Sequence, residues 1–243
     1  MFIRQAMLAV GDESSVLLRA ALSTALGTAA LVLFTGLAAA PVAAQAFNYP
    51  SMQLPSVSVR DYTAAIAGGA GTTMLFQWRE EMATDMHWQL DLGMADPKGP
   101  ADPLVFVGGG IGRELVRATA DQPLDILLTA GVGAAFGKTN VFRIPVGASV
   151  GHTFALDEGM SITPFVHPRV SFDNCGNCRA DGVGRLNRGR STASLNFDLG
   201  ASWQVNPHFA VRASAGFGGS DVAGSDETVA VGLTWTPVAL SRP

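Results

Sequence analysis

The sequence predicts an all-β chain: an antiparallel up-and-down transmembrane β-barrel of about ten strands, or eight if the first pair is misread, behind a helical signal peptide. Three observations predict it. From Ser56 onward the hydrophobic period is two rather than 3.6. The segments with this period run to roughly 9–13 residues, beyond the mean strand of about 5–6 and matched to the 9–11 tilted residues that cross a bilayer. The positions opposite the apolar ones hold mainly Gly, Ser, Thr and Ala, where a sheet facing bulk water carries Lys and Glu.

Composition narrows the surroundings. Of 243 residues, 48% are hydrophobic and only 15% charged, against about 25% charged in ordinary soluble domains. Mean hydropathy is +0.26, so much of the surface meets something other than water. The net charge of −4 leaves no basic field to hold nucleic acid.

The N-terminus predicts export. Arg4 and Arg19 precede an apolar stretch over 20–40 that includes Leu31, Val32, Leu33 and Phe34. Small residues follow and end in Ala44-Gln45-Ala46, an A-x-A pattern just before Phe47. Basic, apolar and small-residue regions in that order form a secretory signal peptide over 1–46, cleaved after Ala46. The leading region is long, and Met7 is an alternative start. An uncleaved membrane helix is the competing reading, since the apolar run nears spanning length. Residues 47–55 then read as a linker, 56–236 as the barrel and 237–243 as a tail.

Strands follow in chain order. Segments 57–67, 72–80 and 103–114 alternate noisily, whereas Met86, Trp88, Leu90, Leu92 and Met94 alternate cleanly with His87, Gln89, Asp91 and Gly93. Segment 124–137 sets Leu124, Ile126, Leu128 and Val132 against Asp125, Thr129, Gly131 and Gly133. Segment 142–150 sets Phe142, Ile144 and Val146 against Arg143, Gly147 and Ser149. Segment 160–172 is weakened by Pro164 and Pro168, because proline removes a ladder donor. The clearest strand is 192–205, with Leu195, Phe197, Leu199, Trp203 and Val205 opposite Ser194, Asn196, Asp198, Ser202 and Gln204. Asn206-Pro207 turns the chain into 208–218, and Val229, Val231, Leu233 and Trp235 close it. The long polar connections near 95–103, 173–190 and 218–227 fall on one side of this count, as external loops do.

On this pattern Arg79, Asp91, Asp125, Arg143, Arg169, Asp198 and Arg212 point into the lumen, where confinement requires that they pair. Trp78, Trp88, Trp203 and Trp235 sit at or near strand ends and suit interface belts; ordinary packing is the alternative for each.

With its signal peptide, alternating strands and closing strand 228–235, the chain resembles the small outer-membrane β-barrel-domain proteins of bacteria. The resemblance covers nearly the whole mature chain and rests on pattern. It implies an outer-membrane location, contact with outer-membrane lipid and lipopolysaccharide, and delivery by the barrel-assembly machinery. In that group the closing strand commonly ends the chain on an aromatic residue; here Thr236 to Pro243 follow Trp235.

Motifs for chemistry are sparse. Cys175 and Cys178 are the two cysteines; with no second pair for zinc and no helix-opening context for redox exchange, a local disulfide in an exported loop is the reading they support. Arg179, Arg185, Arg188 and Arg190 make that loop basic and suited to anionic headgroups, with solvated loop charge as the bland alternative. Gly108-Gly109-Gly110-Ile111-Gly112 lacks the Lys-Ser/Thr of a phosphate loop and instead relieves crowding or bends a strand. His167 with Ser171 or Ser161, or His87 with Asp85, are the groupings a rim enzyme would recruit, yet no G-x-S-x-G or H-E-x-x-H pattern accompanies them. The expected function is non-enzymatic, without cofactor: a barrel with a narrow or filled lumen serving the envelope structurally or through its loops. A narrow channel or small-solute transporter, a lipid hydrolase or acyltransferase at the rim, and a soluble periplasmic binding module are the alternatives.

Overall fold

The structure, a computed structural model, describes residues 50–69, 71–97, 102–137, 140–176, 190–220 and 227–237, with the pairs 179–180, 185–186 and 224–225. The signal peptide, its cleavage point at Ala46, the 238–243 part of the tail, Cys178 and Arg188 lie outside the described residues.

Ten long strands form the wall: β1 (Arg60–Gly68), β2 (Gly71–Ala83), β3 (Met86–Pro97), β4 (Leu104–Val116), β5 (Asp125–Phe136), β6 (Val141–Gly151), β7 (Ser161–Cys175), β8 (Arg190–Asn206), β9 (Phe209–Ser220) and β10 (Thr228–Trp235). Each pairs antiparallel with the next. β10 returns to β1, setting Trp235 opposite Tyr62 and Val229 opposite Gly68, so the sheet closes. Closure removes both edges and satisfies the backbone within the wall, the condition for strands in hydrocarbon.

The two prolines that weaken β7 in sequence do not end it. Pro168 falls where the β6–β7 ladder skips from Gly147–Arg169 to Val150–Val166. Pro145 falls where the β5–β6 ladder skips from Ala130–Val146 to Gly133–Arg143. Each lacks the N–H a rung needs, and the flanking rungs carry the strand past the gap.

One rim carries the start of β1, the end of β10 and the turns at 84–85 and 207–208; the opposite rim carries the long connection between β7 and β8. Strand irregularities at Glu81/Ala83, Glu114/Val116 and Gln204/Asn206 all lie at the terminal rim, where bulges commonly finish barrel strands. The connection over 152–160 is no tight turn: Phe154–Ala155 pairs with the start of β7 and Asp157–Gly159 forms a single 3-10 turn.

The outward face is apolar. Ile66, Val105, Phe172, Leu195 and Leu233 are each 58–69% exposed, and outward charges among the described strand residues occur only near the rims, as with Arg60, Glu80, Arg113 and Asp96. This is the surface of a barrel surrounded by lipid. All four tryptophans face outward at the terminal rim rather than at both interfaces. Trp78 meets Trp88 edge-on at 4.7 Å, and Tyr62 stacks on Trp235 at 5.5 Å. Beside them Arg60 pairs with Glu80, marking the water side of the belt. The opposite rim presents Phe136, Phe142 and Phe172.

Inner-wall glycines make room for large neighbours. A methyl group on Gly93 would lie 2.3 Å from the Phe106 ring, and one on Gly200 would lie 2.6 Å from the Phe165 ring. The same holds at Gly112, where it would sit 2.6 Å from the His87 imidazole. Within Gly108-Gly109-Gly110-Ile111-Gly112, relief of crowding is therefore the role at Gly112.

Candidate functional site

Among the described residues, buried polar and charged groups converge in the lumen. Its loop-side end is dry: Leu104, Phe106 and Val141 pack with small alanines and with Cys175 at the end of β7. Beyond this cluster the inner wall is charged. Arg143 lies directly opposite Asp173 in the β6–β7 register and donates to it in a fork, at 2.7 and 3.2 Å. Arg169 donates to both Asp198 oxygens at 2.6 and 2.9 Å. Asp61 serves two arginines, accepting from Arg212 at 3.0 Å and lying 3.6 Å from Arg79, its register partner on β2. Asp91 accepts from the Gln77 and Gln89 amides at 3.0 and 3.3 Å. Planar guanidinium forks suit such closed pairs, and each pair removes the cost of an isolated charge.

The structure thus places Arg79, Asp91, Arg143, Asp198 and Arg212 buried on the inner wall, with Arg169 nearly so. Asp125 is also buried, but it stands at the terminal rim and accepts the Ala118 N–H at 2.7 Å, tying down the 117–124 connection. Two further carboxylates belong to this set. Asp61 lies next to the rim arginine Arg60 in a noisy segment, and Asp173 sits in a stretch whose Asp, Asn, Cys and Gly read as loop. β7 extends through Asp173 to Cys175, so the connection to β8 starts later than its composition suggests. Cys175 is buried at that strand end, and its expected bridge depends on Cys178, outside the described residues.

The lumen also contains chain. Residues 50–55, which read as linker, run inside the barrel, with Pro50, Ser51, Met52, Gln53 and Pro55 buried. Three successive carbonyls of this segment each accept from a different strand: Ser51 from Ser214 on β9 at 2.5 Å, Met52 from Arg79 on β2 at 3.2 Å, and Gln53 from Ser149 on β6 at 2.7 Å. The Met52 side chain joins the dry cluster with Phe106 and Leu75. Two imidazoles hold its flanks: His167 Nδ1 is 2.6 Å from the Ser51 hydroxyl, and the Ser58 N–H donates to His87 Nδ1 at 3.3 Å.

Both histidines are therefore occupied. His167 also meets Thr129 at 2.9 Å, while Ser171 bonds Ser194 at 2.7 Å and Asp85 pairs with exposed Arg113. Neither histidine grouping considered for catalysis is assembled by these contacts. Beside the segment remains a chamber of about 90 Å³ whose border includes the polar side chains of Gln77, Gln89, Asp91, Thr129, Arg143 and Arg169. Gly131, Gly133 and Pro145 form part of its wall at the interrupted β5–β6 seam. It has room for several waters among polar partners.

No protein-family model matches this sequence, and neither does any curated protein. Among solved structures, the chain is similar to the N-terminal β-barrel domain of Pseudomonas aeruginosa OprF, with 11% identity over 72% of this chain and 95% of that one, at a TM-score of 0.37. It is similar to the KdgM porin at 6% identity, 73% and 99% coverage and a TM-score of 0.39. It is likewise similar to LpxR from Salmonella typhimurium at 11% identity, 78% and 80% coverage and a TM-score of 0.42. Likenesses this distant carry no argument about activity; on its own pairing and its own outward face, the chain is a closed ten-stranded β-barrel of the transmembrane kind.

Proposed function

We propose that this protein is a bacterial outer-membrane barrel whose lumen is closed at rest, and that it serves the envelope through its lipid-facing wall and external loops rather than by free diffusion or catalysis. The observation that carries the reading is the occupied lumen. Segment 50–55 lies buried in the lumen, and three of its carbonyls are bonded to three different strands. Export by the 1–46 leader, with cleavage after Ala46, belongs to the same reading, as does passage through the barrel-assembly machinery. Its partners are outer-membrane lipid and lipopolysaccharide, which the arginines at 179, 185, 188 and 190 suit. Planar-bilayer recording of the intact protein tests the closed lumen. Silence, or rare small openings, is the expected trace; large, steady single-channel steps would refute it.

A second reading rests on the chamber beside the segment. Its polar border and the interrupted β5–β6 seam favour transit of a small polar solute. Solute uptake into liposomes, altered in charge preference by Arg143→Gln or Arg169→Gln, would support this reading over the first.

A further inference from the structure

The contacts of segment 50–55 describe more than a filled space. We infer that the lumen holds a binding site for an extended peptide, and that the chain's own residues 50–59 are its resident, separable ligand. This rests on the closed-lumen reading and goes beyond it, because a lumen can be filled by residues that could never leave.

Three features support a site over an integral part of the wall. First, the ring of pairing from β1 round to β10 is complete without the segment. Among the described residues, a backbone-to-backbone bond joins the two at Val59, which accepts the Glu81 N–H at 2.9 Å at the rim. Second, the wall recognises the segment as peptide. Ser214, Arg79 and Ser149 donate to three successive main-chain carbonyls, a mode that reads an extended backbone whatever its side chains. Third, one side chain is selected. Met52 enters the dry cluster beside Phe106, an unbranched apolar chain filling an irregular gap. The ligand class is therefore an extended peptide with a flexible apolar side chain at the position whose carbonyl meets Arg79. The prolines at 50 and 55 lower the freedom such a peptide loses on binding.

The test uses the whole protein. A protease site is inserted after Val59, which is 58% exposed at the rim. The protein is folded into detergent, cut and washed, and then offered a fluorescently labelled synthetic peptide of residues 50–59. The expected results are a cut barrel that keeps its folded, heat-modifiable mobility, release of the segment on washing, and one-to-one rebinding of the peptide by fluorescence anisotropy. In a barrel carrying both S149A and S214A, the dissociation constant should rise about tenfold or more, given roughly a fewfold to tenfold for each lost hydrogen bond. A peptide with Met52 replaced by Asp should fail to bind.

Unfolding of the barrel on cutting, or a segment that no washing short of denaturation removes, would overturn separability. Release without rebinding, or rebinding unaffected by S149A with S214A, would overturn the peptide site. Each of these failures is distinguishable from failure of the closed-lumen reading, which shows instead as free conduction by the uncut protein. A washed barrel that binds peptide yet carries no current leaves the inference standing, with the ion pairs alone closing the lumen.

Discussion

The barrel wall and the chain inside it are held by different kinds of contact. Every wall strand is bonded to its neighbours in sequence, apart from the closing β10–β1 seam, and each pair of neighbours shares a long antiparallel ladder. Segment 50–55 is bonded to residues up to 163 positions away, through single side chains from β2, β6, β7 and β9. The wall is consequently redundant. It tolerates a missing rung at Pro145 and another at Pro168, whereas the segment rests on a handful of individual donors. Stability should therefore concentrate in the wall, and lability in the segment.

That contrast can be broken at four points. The largest effect should come from Asp173→Ala, which leaves the Arg143 guanidinium buried without its forked partner. Loss of about 3–5 kcal/mol is expected in denaturant unfolding from detergent, with most of it recovered when Arg143 is changed to Met as well. Met52→Ala should remove about 2–5 kcal/mol of packing, but from the segment. Protease should reach residues 50–59 in this variant while the folded gel mobility of the barrel persists. Equal loss of both would mean that wall and segment form one cooperative unit. Leu199→Arg, on the outward face of β8, should cost about 2–4 kcal/mol in a bilayer; an effect within about 0.5 kcal/mol would be that of a water-facing surface. The smallest effect belongs to Ser214→Ala. Leaving the Ser51 carbonyl without that donor should cost about 0.5–1.5 kcal/mol, read as faster hydrogen exchange in the segment with no change in β9.

The same contrast explains what could be read from the sequence. The wall was legible because a half-lipid strand writes its environment into every second residue; Leu195, Phe197 and Leu199 against Asn196 and Asp198 need no tertiary knowledge. Inward charges follow from the same parity: Arg79, Asp91, Arg143, Arg169, Asp198 and Arg212 lie along the inner wall, while Asp125 stands at the terminal rim. Asp173 escaped because strand length is set by pairing with β6 and β8, not by local composition. The segment over 50–55 left no periodic signal. Two prolines and no alternation describe a linker as well as a buried ligand, and its donors come from strands far along the chain. His87 and His167 stand in the sequence as candidates for a rim enzyme, whereas their contacts with this segment come from residues far apart in the chain.

The most direct test of the account is tryptophan quenching by lipids brominated at defined depths along the acyl chain. All four tryptophans face outward in one belt at the terminal rim, with Trp203 and Trp235 nearly half exposed. In reconstituted bilayers, bromines near the headgroups should quench the emission strongly and bromines at the chain ends weakly. Emission indifferent to bromine at every depth would mean that this face meets water or protein, and that the chain does not span a membrane by these strands.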